Sequence, residues 1–240
     1  MKKILSVIFA LLLVVAVLPQ FASAKEDTEQ PLIKTPQDYI DYLRGSNIDK
    51  RMFVTASNNS ADEILEDFTS LSPPDQQKFV DYLNDPKVAE AFIQALETGE
   101  NTILYNGDVS FSFEDEDPGI TTMAAVRKVA VDSTTTILGI DIIKTQVYVQ
   151  YRVAGTSNAN LKVTEILNGG GIVIKNWYPT INITVKDDKP YISSDSKRAY
   201  QTSYFTWNFV HKALGLTYGT ATQSIWGFTD GSKGSSFSKS

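Results

Sequence analysis

His211 is the one histidine of the chain, and cysteine is absent. The side chains that most often serve as bases, nucleophiles and soft metal ligands are therefore nearly missing. His211 falls in phase with Phe205, Trp207 and Phe209, at the end of a core-facing run, and is read as structural. With no partner histidine or thiolate, a standard zinc site is excluded, and a Ser-His-Asp triad would have to use this single base. No G-x-S-x-G elbow, phosphate-cradling loop or H-E-x-x-H pair occurs. Ser194 and Lys197 stand at S-x-x-K spacing, as do Ser236 and Lys239. A lysine-activated serine of that kind starts a helix. The first pair falls in a polar turn and the second in a polar tail, so both are read as chance.

Carboxylates offer two further chemistries. A pair such as Glu165 with Asp132 or Asp141 would suit hydrolysis of a glycosidic bond. Glu165 shares the alternation phase of Leu161 and Val163, which allows a buried acid with a raised pKa or a residue at a solvated sheet edge, and the solvated edge is the favoured reading. Asp108 and the run Asp115, Glu116, Asp117 gather hard oxygen ligands of the kind calcium takes, but without EF-hand spacing. The run is read as solvated charge, and no metal or cofactor is expected.

What remains is a surface. Tyr200, Thr202, Tyr204, Thr206 and Asn208 alternate with Phe205, Trp207 and Phe209, and so form a stripe on the outer face of one strand. Tyr148, Gln150 and Arg152 make a comparable outward set. Tyrosine offers contact area at small entropic cost, which suits sugar rings or another protein. Tyrosine and threonine are also good strand residues that pair across a sheet. Trp177-Tyr178-Pro179 and Trp226 carry the same two readings, exposed contact or plug.

The elements that must hold these residues change character near Asn101. Before it the chain reads helical. Thr35-Pro36, Ser72-Pro73 and Asp85-Pro86 are cap-then-proline starts, Ser60 with Glu63 is a capping box, and Gly45 and Gly99 are stops. Phe79, Val80, Leu83 and then Val88, Phe92, Leu96 make apolar stripes. After Asn101 the period is two. Ile103–Tyr105 and Val109–Phe113 flank the turn Asn106-Gly107-Asp108. Val147, Val149, Tyr151 and Val153 share a face, as do Ile181, Ile183 and Val185. Eight to ten strands with no long helix between them exclude parallel crossovers. The expected fold is mainly β, an antiparallel β-sandwich with a small α-helical N-terminal segment; a closed β-barrel is the alternative.

Met1 to Ala24 reads as a cleavable signal peptide: Lys2 and Lys3, an apolar run from Ile4 to Leu18, and Ala22-Ser23-Ala24 before Lys25. Cleavage is expected between Ala24 and Lys25, giving a secreted, extracellular, bacterial product. Without disulfides, a lipid-modified cysteine or a sorting signal, it would have no membrane anchor in the mature chain. Residues 25–100 form an acidic helical segment and a candidate pro-region. Residues 101–119 form a short hairpin and acidic linker, 120–230 the sandwich, and 231–240 a flexible tail. Lys25 to Gly119 carries a net charge of −14 and Ile120 to Ser240 one of +6. The charge run and Pro118-Gly119 mark an exposed, protease-prone link, so Met123, Ala124 and Ala125 are the candidate processing region. The modest, scattered positive charge argues against nucleic acid. The leading expectation is a non-enzymatic module that binds an extracellular polymer or protein. A toxin-like antagonistic factor made with an acidic pro-segment is the second, and a hydrolase the third.

Overall fold

A computed structural model describes residues 33–45, 59–116, 125–211 and 215–239. The signal peptide, the Ala24–Lys25 junction, Asp117, Met123 and Ala124 lie outside the described residues. Ala125 begins a strand, opposite Val153.

Four helices occur among the described residues, and their starts follow the caps. The first, α1, spans Pro36–Gly45. In α3 (Pro73–Leu83) the Ser72 hydroxyl accepts from the Asp75 amide. In α4 (Pro86–Thr98) the Asp85 carboxylate accepts from the Lys87 amide at 2.9 Å, and Gly99 ends the helix at φ 69°. Each satisfies an amide that the first turn leaves unpaired. The remaining helix, α2 (Asn59–Ser70), already includes Ser60, so that residue lies inside the first turn and not at its cap. The helices close on an aromatic knot in which the Tyr39, Phe68 and Phe79 rings lie 5.0 to 5.2 Å apart.

Among the described residues ten antiparallel strands follow, in two open five-stranded sheets. Sheet A is ordered β1 (Thr102–Leu104), β2 (Val109–Glu116), β3 (Ala125–Ile137), β4 (Ile140–Ala154) and β5 (Lys162–Asn176). Sheet B runs β10 (Lys233–Lys239), β9 (Gly215–Phe228), β8 (Arg198–His211) and β6 (Ile181–Asp187), with β7 (Tyr191–Ile192) also on β8. The sheets pack face to face and do not close, so the fold is a sandwich and not a barrel. Lys233–Lys239, read from its polarity as a tail, is instead the edge strand β10, paired along Ala221–Gly227. Its Ser and Gly residues carry no alternation, but the ladder with β9 needs only backbone groups.

Two apolar clusters fill the interior. One lies wholly between the sheets, around Val129, Val131, Val147, Val149, Tyr151, Phe205 and Ile225. The other joins helices to sheets: Tyr39, Phe68, Phe79, Leu83, Val88 and Phe92 pack with Phe111, Ile137, Ile142, Trp177, Tyr178 and Trp207. Polar links cross the same boundary. The Tyr39 hydroxyl donates to the Trp177 carbonyl at 3.1 Å, and that of Tyr178 donates to the Leu83 carbonyl at 2.9 Å. Glu97 pairs with Lys239 at 2.5 Å and Glu63 with Lys175 at 3.4 Å, joining the acidic half to the basic one. Those ion pairs are partly solvated and contribute little by themselves; the shared apolar cluster carries the association.

Burial raises the phenol pKa of Tyr42 and Tyr151 from an ordinary 10.0 to about 12, and raises those of Tyr39 and Tyr178 well above the ordinary value too. Between pH 10 and 12 an unfolded chain releases phenolic protons that the folded chain keeps. Stability is therefore expected to be intact below pH 10 and to fall as pH rises from there toward 12. Urea midpoints at pH 8, 10 and 11.5, followed with tyrosinate absorbance, test this; a midpoint unchanged to pH 11.5 contradicts it.

Candidate binding face

The chemistry sought in the acids does not assemble. Glu165 is exposed on the edge strand β5, where it forms an ion pair with Arg152. The registers Arg152↔Glu165 and Val153↔Val163 show that Thr164 is an extra residue in the ladder. That bulge turns Glu165 away from the core phase of Leu161 and Val163. Asp132 is buried and held by Lys144 at 2.6 Å and by the Gln146 amide at 2.7 Å; Asp141 accepts from the Thr136 hydroxyl at 2.7 Å. Gln146, opposite Asp132, and Arg152, opposite Glu165, are six strand positions apart, roughly 20 Å. Asp132 and Thr136, opposite Asp141, are four apart, roughly 13 Å. Neither gap is the separation of a carboxylate pair sharing one glycosidic bond.

The other candidates are likewise engaged. Asp108 is gripped by Lys78 at 2.6 Å and by the Tyr82 hydroxyl at 2.7 Å, and hydrogen bonds from these two hold its carboxyl below the usual range. Among the described residues no group of three His, Asp or Glu could hold a metal ion. The Lys197 ammonium donates to the Leu161 and Ala159 carbonyls, at 2.8 and 3.2 Å. Ser194 is exposed in a turn, not on a helix. His211 lies at the end of β8. A small cleft beneath α4, lined by Phe92, Phe111, Ile143, Phe205 and Trp207, has a free interior of about 20 Å³, room for one water.

The aromatic stripe does assemble, and it is wider than one strand. Tyr200, Thr202, Tyr204, Thr206 and Asn208 are all partly exposed and alternate with the buried Ala199, Gln201, Ser203, Phe205 and Trp207. Register extends each into a row across sheet B. Tyr200 lies opposite Tyr191 and Trp226, and Trp226 opposite Gly234. The Tyr191 and Tyr200 rings stack at 4.9 Å and 5°; Tyr200 and Trp226 are 6.0 Å apart and tilted by 32°. Gly234 floors the indole, since a Cβ there would come within 2.5 Å of the ring. The partly exposed indole therefore occupies the space that a side chain at position 234 would fill. Tyr191, at the margin, is 56% exposed.

Arg198 frames this row. Its guanidinium donates to the Tyr200 hydroxyl at 2.9 Å and sits 5.3 Å over the Phe228 ring. The next rows are hydroxyls. Thr202 bonds Ser224 at 2.9 Å, with Ser236 beyond, and Thr206 bonds Thr220 at 3.0 Å, with Thr184 opposite. Tyr204 donates to the Asp188 carboxylate at 2.8 Å, which raises its phenol pKa. So the stripe residues do make cross-strand pairs. Each Thr–Ser or Thr–Thr pair uses one of its two hydroxyl protons, leaving the other for an outside acceptor.

Trp226 and Tyr191 extend the candidate site beyond the five residues of the stripe. The signal for Trp226 was its place in a Thr/Ser/Gly-rich segment whose alternation is weak; Tyr191, in a two-residue strand, offered none. No known protein family, curated protein or solved structure matches this chain.

Proposed function

We propose that this chain is an exported, non-enzymatic binding protein whose outer sheet-B face contacts an extracellular surface component or protein. The observation that carries this reading is the continuous row Tyr191, Tyr200, Trp226, ranged beside rows of partly exposed hydroxyls on the outer side of sheet B. Export rests on the Lys-Lys, apolar and Ala-Ser-Ala pattern of residues 1–24. Among the described residues no helix is long and apolar enough to cross a membrane. The core shared by helices and sheets favours one working body over a toxin-like factor released from a pro-segment.

Replacing Tyr200 and Tyr204 together by alanine removes two rings from the face without opening the interior, since both lie on its outer side. Retention of the double variant on whole bacterial cells is expected to fall by about fivefold or more, with its urea midpoint shifted little. Unchanged retention would remove the face from consideration.

A further inference from the structure

We infer that the occupant of this face is a glycan, with a pyranose ring stacked on the partly exposed Trp226 indole. The inference rests on the binding reading above and narrows it to one ligand chemistry. Three observations support a sugar over a protein partner. First, the Trp226 indole lies over the bare backbone of Gly234, where a Cβ would come within 2.5 Å of its ring, so the partly exposed ring sits low on the face. A pyranose presents axial C–H groups that match this aromatic plate, because the π face is electron-rich and the C–H edge is positive. Second, among the described outward positions of strands β6 to β10 the cations are Arg198 and Lys186, and the nearby Asp188 carboxylate is occupied by Tyr204. That suits a neutral or weakly anionic polyhydroxyl chain, whereas protein partners at such sites are matched by charge at the rim. Third, the groups beside the plate are those that bind sugar hydroxyls. Thr202 with Ser224, one row away, share a proton at 2.9 Å, so one of the two is free to donate outward. Ser236 continues that row onto β10.

The architecture of the plate also restricts how the sugar sits. Tyr200 is packed between Tyr191 and Trp226 and anchored through its hydroxyl by Arg198. Tyr191 stacks on one of its faces and the indole lies beside it, tilted by 32°, which makes Tyr200 a buttress that positions the indole and not the stacking surface. Trp226 is the contacting residue, and Tyr200 and Gly234 are positioning residues.

The test uses the full mature chain and two adsorbents: whole bacterial cells, and insoluble sacculi from the same cells after exhaustive protease digestion and lipid extraction. The wild-type protein is expected to bind both. Trp226→Ala is expected to lose about tenfold or more in affinity for sacculi, and Gly234→Val a comparable factor, because its side chain lifts the indole without removing it. Folding of each variant is checked by the fluorescence of Trp177 and Trp207, which are 5% and 1% exposed. Binding to cells that the Tyr200/Tyr204 variant loses, with no binding to sacculi, would overturn the glycan while leaving the surface reading intact. Binding to sacculi that survives both Trp226→Ala and Gly234→Val would overturn the plate. Cell retention unaffected by any of these variants would overturn both readings.

Discussion

A chain begun at Ala125, without the helices and the first two strands, is expected to fail to fold. Its loss is twofold. Strand β2 pairs along Val109–Glu116 with Ala130–Ile137, so its removal leaves β3 as an open edge with unpaired amides and carbonyls. The helices are lost from the same cluster, which strips Phe79, Leu83, Val88 and Phe92 from Ile137, Ile142, Trp177, Tyr178 and Trp207. Each such side chain is stabilised by about 1.5–3 kcal/mol on burial, and a domain of this size has a net stability of only about 5–15 kcal/mol. The Tyr178 hydroxyl would also lose the Leu83 carbonyl it donates to. Far-UV circular dichroism and a hydrophobic-dye assay on the shortened chain give the answer. A soluble monomer with native near-UV signal would show the helices to be dispensable, and the released-factor reading would then lead.

The elements that announced themselves were those with a local chemical cause. Ser72-Pro73 and Asp85-Pro86 start helices because proline fixes φ where no amide is needed and the preceding side chain caps the turn. From Val147 to Val153 strand β4 alternates cleanly, with Val147, Val149, Tyr151 and Val153 buried and Tyr148, Gln150 and Arg152 more exposed. Strands β3, β9 and β10 stayed hidden for identifiable reasons. In β3 the consecutive residues Val129, Ala130, Val131 and Asp132 are all buried, so burial on both faces erases the period. In β9 the inward residues Gly219, Ala221 and Gln223 are small or polar, and the Trp207 ring fills the space beside Gly219. Glu165 shows what alternation leaves open: its phase allowed a buried acid or the favoured solvated edge, and the bulge at Thr164 explains why the solvated position is the one it takes. The stripe on β8 could be read from one strand. Its extension to Tyr191 and Trp226 depended on cross-strand register, which no single segment contains.

The inward glycine of β9 sets up the second large effect. Trp207 is 1% exposed, lies opposite Gly219 and meets Phe92 edge-on at 6.5 Å. A Cβ on Gly219 would overlap the Trp207 ring, so the indole occupies the volume a side chain at position 219 would fill. Trp207→Ala is expected to cost about 3–5 kcal/mol, combining lost burial with the cavity left behind. Gly219→Val alone is expected to cost about 1–3 kcal/mol by overpacking. If the two residues share one space, valine at 219 has room once the indole is gone. The double variant should then be more stable than the sum of the single costs predicts, by about 1 kcal/mol or more. Urea unfolding monitored by far-UV circular dichroism, which does not depend on the tryptophan removed, supplies the three values. Strict additivity would mean that the indole and the Gly219 backbone do not compete for one volume. The close seating of β9 under Trp207 would then have to be explained by the backbone ladder alone.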